Sequence, residues 1–211
     1  MSPFVTFEGI EGSGKSTQLR QLAAELRRRG RDVLETREPG ATRAGAAIRD
    51  LLLTADGAPL TPLAELFLYC ADRTQHLDEI VRPALAAGRV VLCDRFSDST
   101  IAYQGYGRGL PLDTVRALDA SARRGLEPTL TILLDCPAGA GLARARGRSR
   151  SAAPDRFEAE ANAFHERVRA GFLELAAASP TRFVVVDAGA PLTEVGARVL
   201  AAAERHLERT G

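Results

Sequence analysis

Phe4-Val5-Thr6-Phe7-Glu8 is a short β-prone run, and it leads directly into Gly9-Ile10-Glu11-Gly12-Ser13-Gly14-Lys15-Ser16-Thr17. A glycine, four residues, then Gly-Lys-Ser is the phosphate-binding loop pattern. A strand before it and a helix after it are the setting in which that pattern holds a nucleotide. The glycines let successive backbone N–H groups turn toward phosphate oxygens. The helix expected to begin near Ser16 adds the partial positive charge of its N-terminus. In this arrangement Lys15 reaches the β- and γ-phosphates and the Ser16 hydroxyl ligates Mg²⁺. Of the 28 basic residues, Lys15 is the only lysine. The one compact ammonium thus lies where a thin, flexible stem is needed.

Outward from this loop, β-prone runs alternate with helical stretches. Strands are expected at 4–8, 32–36, 89–94, 129–135 and 182–187, and three of them contain near-continuous apolar runs, as strands buried on both faces do. Helices are expected at 16–29, 44–53, 62–86, 112–124, 138–146, 155–178 and 192–209. The alternation predicts an α/β fold, a doubly wound parallel sheet of about five strands with helices on both faces and ligands at the carboxyl ends of the strands. No repeat or linker divides residues 1–211, which read as one domain. Two arginine-bearing, small-residue segments, Gly105–Pro111 and Gly147–Pro154, are candidates for a mobile lid.

Composition narrows the function. A net charge of +1 argues against a general nucleic-acid binder. Neither a signal peptide nor an apolar run long enough for a membrane helix is expected. Cys70, Cys93 and Cys136 sit in apolar runs and read as buried, reduced thiols of a cytoplasmic protein. The histidines, His76, His165 and His206, lack metal-ligand spacing and are expected on helix surfaces. A GTPase switch would need a second lysine in its guanine-reading motif, and Lys15 has no companion. A small kinase remains, and its acceptor site must be sought elsewhere.

Asp94-Arg95 closes the central apolar strand, so both side chains emerge at the ligand edge of the sheet. Ser16, Asp94 and Glu11 are the candidate Mg²⁺ oxygens. In the helical stretch that follows, Arg95, Ser99 and Tyr103 are spaced four apart on one face, with Thr100 and Gln104 on the next stripe. The same spacing stacks Tyr69 beside Arg73, an aromatic plane and a donor fork suited to a nucleobase. An exposed cation–π pair would have the same spacing. Leu63, Leu66, Phe67 and Cys70 form the apolar stripe of that helix and are expected to face the core.

These motifs occur in an order that resembles the bacterial thymidylate kinase family: Phe7-Glu8-Gly9-Ile10-Glu11-Gly12, Thr36-Arg37-Glu38-Pro39-Gly40, Ala71-Asp72-Arg73-Thr74-Gln75-His76, and Asp94-Arg95-Phe96 through Ala102-Tyr103-Gln104-Gly105. Gly107-Arg108-Gly109 and Asp155-Arg156-Phe157-Glu158 also fit. The resemblance implies phosphoryl transfer from ATP, with Mg²⁺, to thymidine monophosphate, performed by a homodimer. It implies that the loop from Gly9 to Thr17 and Arg144 hold ATP. It implies Glu11 near the acceptor sugar and its phosphate, Arg95 bridging the phosphoryl groups, Arg73 on the thymine edge and Tyr103 beside the sugar. Arg37, Tyr69, Ser99, Thr100 and Gln104 complete the implied substrate set. The loop lacks an arginine among its variable residues, which implies a catalytic arginine in a lid at about 144–156. Arg148 is the best-matching position, with Arg144, Arg150 and Arg156 as neighbours. The chain departs from the family pattern at Tyr69, where phenylalanine is usual, at Ala41, where a glycine is usual, and in a longer, serine-rich lid.

Overall fold

A computed structural model describes residues 2–54, 59–148, 156–158 and 160–210. The strands are β1 (Phe4–Glu8), β2 (Val33–Arg37), β3 (Val90–Asp94), β4 (Leu130–Asp135) and β5 (Phe183–Asp187). The helices are α1 (Lys15–Arg28), α2 (Arg43–Leu53), α3 (Pro62–His76), α4 (Arg82–Ala86), α5 (Ser97–Thr100), α6 (Leu112–Arg123), α7 (Ala138–Arg148), α8 (Asn162–Ala178) and α9 (Leu192–Thr210). Two π-helical turns, Leu77–Val81 and Ile101–Gly107, join α3 to α4 and extend α5. Each expected strand is present within a residue of its expected start or end. The helix expected over 155–178 begins at Asn162 after a turn at 156–158, and Asp155 lies outside the described residues.

Among the described residues the strands form one parallel sheet in the order β2-β3-β1-β4-β5. From β1 the chain passes to one side for β2 and β3, then to the other for β4 and β5. A crevice therefore opens above the carboxyl end of β1, where ligands bind in such sheets. Alternate β1 side chains serve opposite layers: Val5 and Phe7 pack with Leu19, Leu22 and Leu26 of α1, while Phe4 packs with Leu77, Val91 and Phe96. Thr6 and Glu8 share the Phe4 face, wholly buried, and Thr6 bonds Thr131 across the sheet at 3.0 Å.

Several local expectations are overturned. Of the apolar stripe on α3 only Leu66 is buried, whereas Leu63 and Phe67 are 42% and 51% exposed. The buried face of α3 carries Glu65, Asp72, Arg73 and His76 instead, because this helix walls a polar cavity. His76 and His165 are wholly buried and not on helix surfaces. The segment Gly105–Pro111 is packed. A Cβ on Gly107 would come within 2.7 Å of Phe164 and 2.8 Å of Val168, and the Arg108 guanidinium is bound to Glu65 and Glu160. Gly147 and Arg148 close the end of α7, and the Arg148 side chain, Arg150 and the rest of 149–155 lie outside the described part. The three cysteines are free; Cys93 and Cys136 are buried and Cys70 is half-buried, and burial pushes the Cys70 thiol up to about 11. No helix among the described residues is long and apolar enough to cross a membrane.

Candidate active site

The loop between β1 and α1 turns at Gly12, whose φ of +72° is left-handed. A side chain there would also strike α7: a Cβ on Gly12 would stand 1.8 Å from Gly141 O, and one on Gly141 would stand 2.5 Å from Glu11 O. Two bare backbones thus meet where the phosphate loop touches the helix that leads toward residues 149–155. Gly14 caps α1 in a left-handed conformation, so Lys15, Ser16 and Thr17 form the first helical turn. The leading N–H groups of a helix have no intrahelical partner and are available to an anion.

Lys15 is buried. Its Nζ donates to Gly9 O at 3.0 Å, Ile10 O at 2.8 Å and, weakly, Ser13 Oγ at 3.5 Å. Burial and the nearby Arg95 charge lower its pKa to about 8. An incoming phosphate would add to the countercharge that Asp94, Glu11 and Glu8 already give this ammonium. The Ser16 hydroxyl donates to Asp94 Oδ2 at 2.5 Å, bringing together two hard oxygen donors, the kind that Mg²⁺ takes alongside substrate phosphates. Ile10 and Ser13 point away from solvent and shape the loop from within.

Arg95 stands between the phosphate loop and the rest of the cavity. Its φ of +69° is an uncommon conformation for a residue with a side chain. The following residue is pinned, as Phe96 N donates to Glu8 Oε1 at 2.8 Å. The guanidinium then reads the expected stripe: Nη1 donates to Gly9 O at 3.0 Å and to Ser99 Oγ at 3.1 Å, and Nη2 to Glu11 Oε1 at 2.8 Å and Tyr103 Oη at 3.0 Å. Ser99 in turn donates to Glu8 Oε2 at 2.5 Å. Burial and the neighbouring Asp98 push Glu8 up to about 8. Burial also pushes Glu11 upward, but Arg95, His165, Lys15 and Tyr103 outweigh it and hold Glu11 at about 2. Its Oε2 lies 3.1 Å from His165 Nδ1, and the His165 Nε2 faces Phe157 O at 3.0 Å.

A cavity of about 240 Å³ joins these groups to a second cluster, lined by Tyr69, Arg73, Phe96, Thr100, Gln104 and Phe157. Arg73 is 1% exposed. Its Nε donates to Glu38 at 2.9 Å, Nη1 to Asp119 at 2.7 Å and Nη2 to Thr100 at 2.9 Å. Three of its five N–H groups are thereby committed within the protein. It is a braced donor at the cavity wall, not the open fork or the exposed cation–π pair that spacing alone allows. Glu38 is itself held by His76, which bridges it to Thr36 at 2.8 and 2.7 Å. Tyr69 is half-buried, its ring 6.4 Å from that of Phe157. Arg37 is exposed at the cavity mouth.

Arg144 is not part of this cavity lining; its Nη1 donates to Ala188 O at 2.8 Å, in the loop after β5. Arg156 turns inward to Glu65 at 2.7 Å. Glu8, Glu38, Glu65, Asp119 and His165 organise the site, and sequence reasoning passed over them as site residues. The one available signal was the position of Glu8 and Glu38 inside the motifs quoted above.

The chain matches the family described as thymidylate kinase over residues 7–199. It is 52% identical over 212 residues to the thymidylate kinase of Desulfovibrio desulfuricans, covering 99% of this chain and 98% of that one. It is 56% identical over 189 residues to that of Solidesulfovibrio magneticus, covering 88% and 90%. The crystal structure of thymidylate kinase from Ehrlichia chaffeensis superposes with a TM-score of 0.77 at 34% identity, covering 96% of this chain and 98% of that one. Sequence, sheet order and the phosphate loop thus agree, and the chain belongs to the thymidylate kinase family of nucleoside-monophosphate kinases.

Proposed function

We propose that the protein transfers the γ-phosphoryl group of ATP to thymidine monophosphate, giving the diphosphate for dTTP synthesis. The observation that carries this reading is the single cavity that runs from Lys15 and Ser16 past Arg95 to Arg73 and Gln104. It offers a phosphate end and a base end with a guanidinium between them. The acceptor phosphate is already ionised at neutral pH, so positioning and charge neutralisation carry the chemistry and a strong base is not needed. Lys15 neutralises the transferring phosphates, and Arg95 spans donor and acceptor. Glu11 and Tyr103 orient Arg95, and Tyr103 borders the sugar. Ser16 and Asp94 fit a hydrated Mg²⁺, which supplies further neutralisation of phosphate charge when bound. A lid arginine, Arg148 by resemblance, completes the charge set, and closure there excludes the water that would hydrolyse ATP. We assign Arg144 and the residue 188 loop to the adenosine end.

Leu51, Leu63 and Phe67, exposed on the adjoining helices α2 and α3, support a homodimer, and the free thiols support a cytoplasmic location. The test is a steady-state assay with ATP, Mg²⁺ and a panel of monophosphates. Thymidine monophosphate should exceed deoxyuridine monophosphate by about 1 kcal/mol in kcat/KM, the scale of one buried methyl group. Deoxycytidine monophosphate should trail far behind. Equal efficiency for the thymine and cytosine nucleotides overturns the assignment of the base end.

A further inference from the structure

We propose that Glu65 is a specificity-determining residue that excludes cytosine by locking the orientation of the Gln104 amide. The proposal rests on the reading of the Arg73–Gln104 end of the cavity as the base site.

Glu65 projects from the inward face of α3 and is 0% exposed. Only donors meet it. Its Oε1 accepts from Gln104 Nε2 at 2.8 Å and Arg108 Nε at 3.1 Å, and its Oε2 accepts from Arg108 Nη2 at 3.1 Å and Arg156 Nη2 at 2.7 Å. A carboxylate oxygen accepts and does not donate, so the Gln104 atom facing it has to be the NH₂ group. The two ends of a primary amide are tied together. With the NH₂ end on Glu65, the end left for the cavity is the carbonyl Oε1. Gln104 is 1% exposed, it lines the cavity, and its Oε1 accepts no hydrogen bond from the described residues.

One stripe further back, Thr100 accepts from Arg73. The base end therefore presents a fixed pair, a guanidinium donor from Arg73 and an amide acceptor from Gln104. A ligand edge that satisfies both carries an acceptor beside a donor. The 4-carbonyl and N3–H of thymine or uracil have that order. Cytosine has the reverse, with a 4-amino donor and a bare N3 acceptor. A freely rotating Gln104 could turn its NH₂ toward cytosine N3 and remove half of the conflict. Glu65 forbids the turn, since it would aim the amide oxygen at a carboxylate. Arg108 and Arg156 keep the carboxylate in place from its far side, with the Arg108 guanidinium also stacked 4.8 Å from the Phe164 ring centroid.

The experiment compares kcat/KM for thymidine and deoxycytidine monophosphates in the parent protein, Glu65→Gln and Glu65→Asp, with melting temperature followed in parallel. In Glu65→Gln the residue 65 amide can face Gln104 with either end, so Gln104 is free to turn. The thymine-over-cytosine ratio should fall by about tenfold, the scale of one buried polar group relieved of its mismatch. The fall should include an absolute rise in deoxycytidine monophosphate turnover, which mere loosening of the fold does not produce. Glu65→Asp keeps a carboxylate for the two arginines but withdraws it from Gln104, and should move the ratio the same way. If Glu65→Gln does not fold, Glu65→Asp decides the matter. An unchanged ratio, or a ratio that falls only because thymidylate activity is lost, overturns the role of Glu65. A parent protein without any preference for thymine overturns instead the reading of the base site.

Discussion

Arg95 is the residue on which phosphate loop, acceptor face and backbone strain converge. Its left-handed φ is sustained by the Glu8–Phe96 bond and by four guanidinium contacts. Burial works against its charge, but Tyr103, Glu11 and Asp94 outweigh burial and hold its pKa above the ordinary arginine value. The group thus stays cationic throughout any working pH. In the proposed function, Arg95→Ala removes a fixed positive charge from the point where the transferring phosphoryl group passes. Turnover should fall by about 10³-fold or more, while the dissociation constant for ATP, which the proposed function gives chiefly to the loop and Lys15, changes much less. Stopped-flow or single-turnover kinetics beside equilibrium nucleotide binding make the comparison. An effect confined to KM would leave Arg95 as a binding group alone.

At the scale of elements, the decisive contact is between the phosphate loop and α7. Gly12 and Gly141 touch backbone to backbone, and even a methyl group on Gly141 would lie 2.5 Å from Glu11 O. Gly141→Ala should therefore push α7 and the loop apart. Overpacking of this kind costs about 1–3 kcal/mol, and a displacement on the order of 1 Å at a reacting centre can cost roughly 10²-fold in rate. Gly139, on the same helix, meets nothing within 4 Å. Gly139→Ala should leave turnover intact and raise stability by about 0.5–1 kcal/mol through helix propensity. Thermal melts and steady-state assays of the two variants separate the contact from the general effect of alanine in α7.

Across the whole molecule, the proposed base site and the buried core share one ion-pair network. Arg73 binds Glu38 and Asp119, whose side chains are 2% and 0% exposed, and Asp119 also accepts from Ser97 and Arg123. This places side chains of α3, the β2 edge, α5 and α6 around one guanidinium. Arg73→Ala removes a buried partner from both Glu38 and Asp119, a loss of about 3–5 kcal/mol. For a chain of this size that corresponds to a melting temperature lower by about 6–20 °C. The same variant should shrink the thymine-over-cytosine ratio, chiefly by weakening thymidylate. Calorimetry and the two-substrate assay together test both halves, and a variant that keeps the parent melting temperature would show that the network is not structural.

Local sequence determined the parts of this protein whose cause is local. The phosphate loop was legible because its glycines, Lys15 and Ser16 act through adjacent backbone groups. The parallel sheet was legible because continuous apolar runs such as Val90–Cys93 suit strands covered on both faces. The Arg95–Ser99–Tyr103 grouping was legible from its spacing. Yet Arg95 precedes α5 in a left-handed conformation and Tyr103 lies in a π-helical turn, so the Arg95 guanidinium and not a shared helix face joins the three. Tertiary structure decided the rest. Glu65, Asp119 and His165 have unremarkable neighbours in sequence, Glu8 and Glu38 are marked only by their place in the motifs, and a charged residue is buried only where distant elements bring its partners. Arg73 lies 35 positions from Glu38 and 46 from Asp119. The same cause reversed α3. Its apolar stripe suggested a core face, yet a helix that walls a ligand cavity turns its polar side inward, and the Leu63–Phe67 side faces out. Gly105–Pro111 reads as a loop from its glycines, but Phe164, Val168, Glu65 and Glu160, supplied by α8, α3 and the segment before α8, pack it into place. Periodicity and turn chemistry fix elements one at a time, whereas the burial of charge depends on which elements the fold sets side by side.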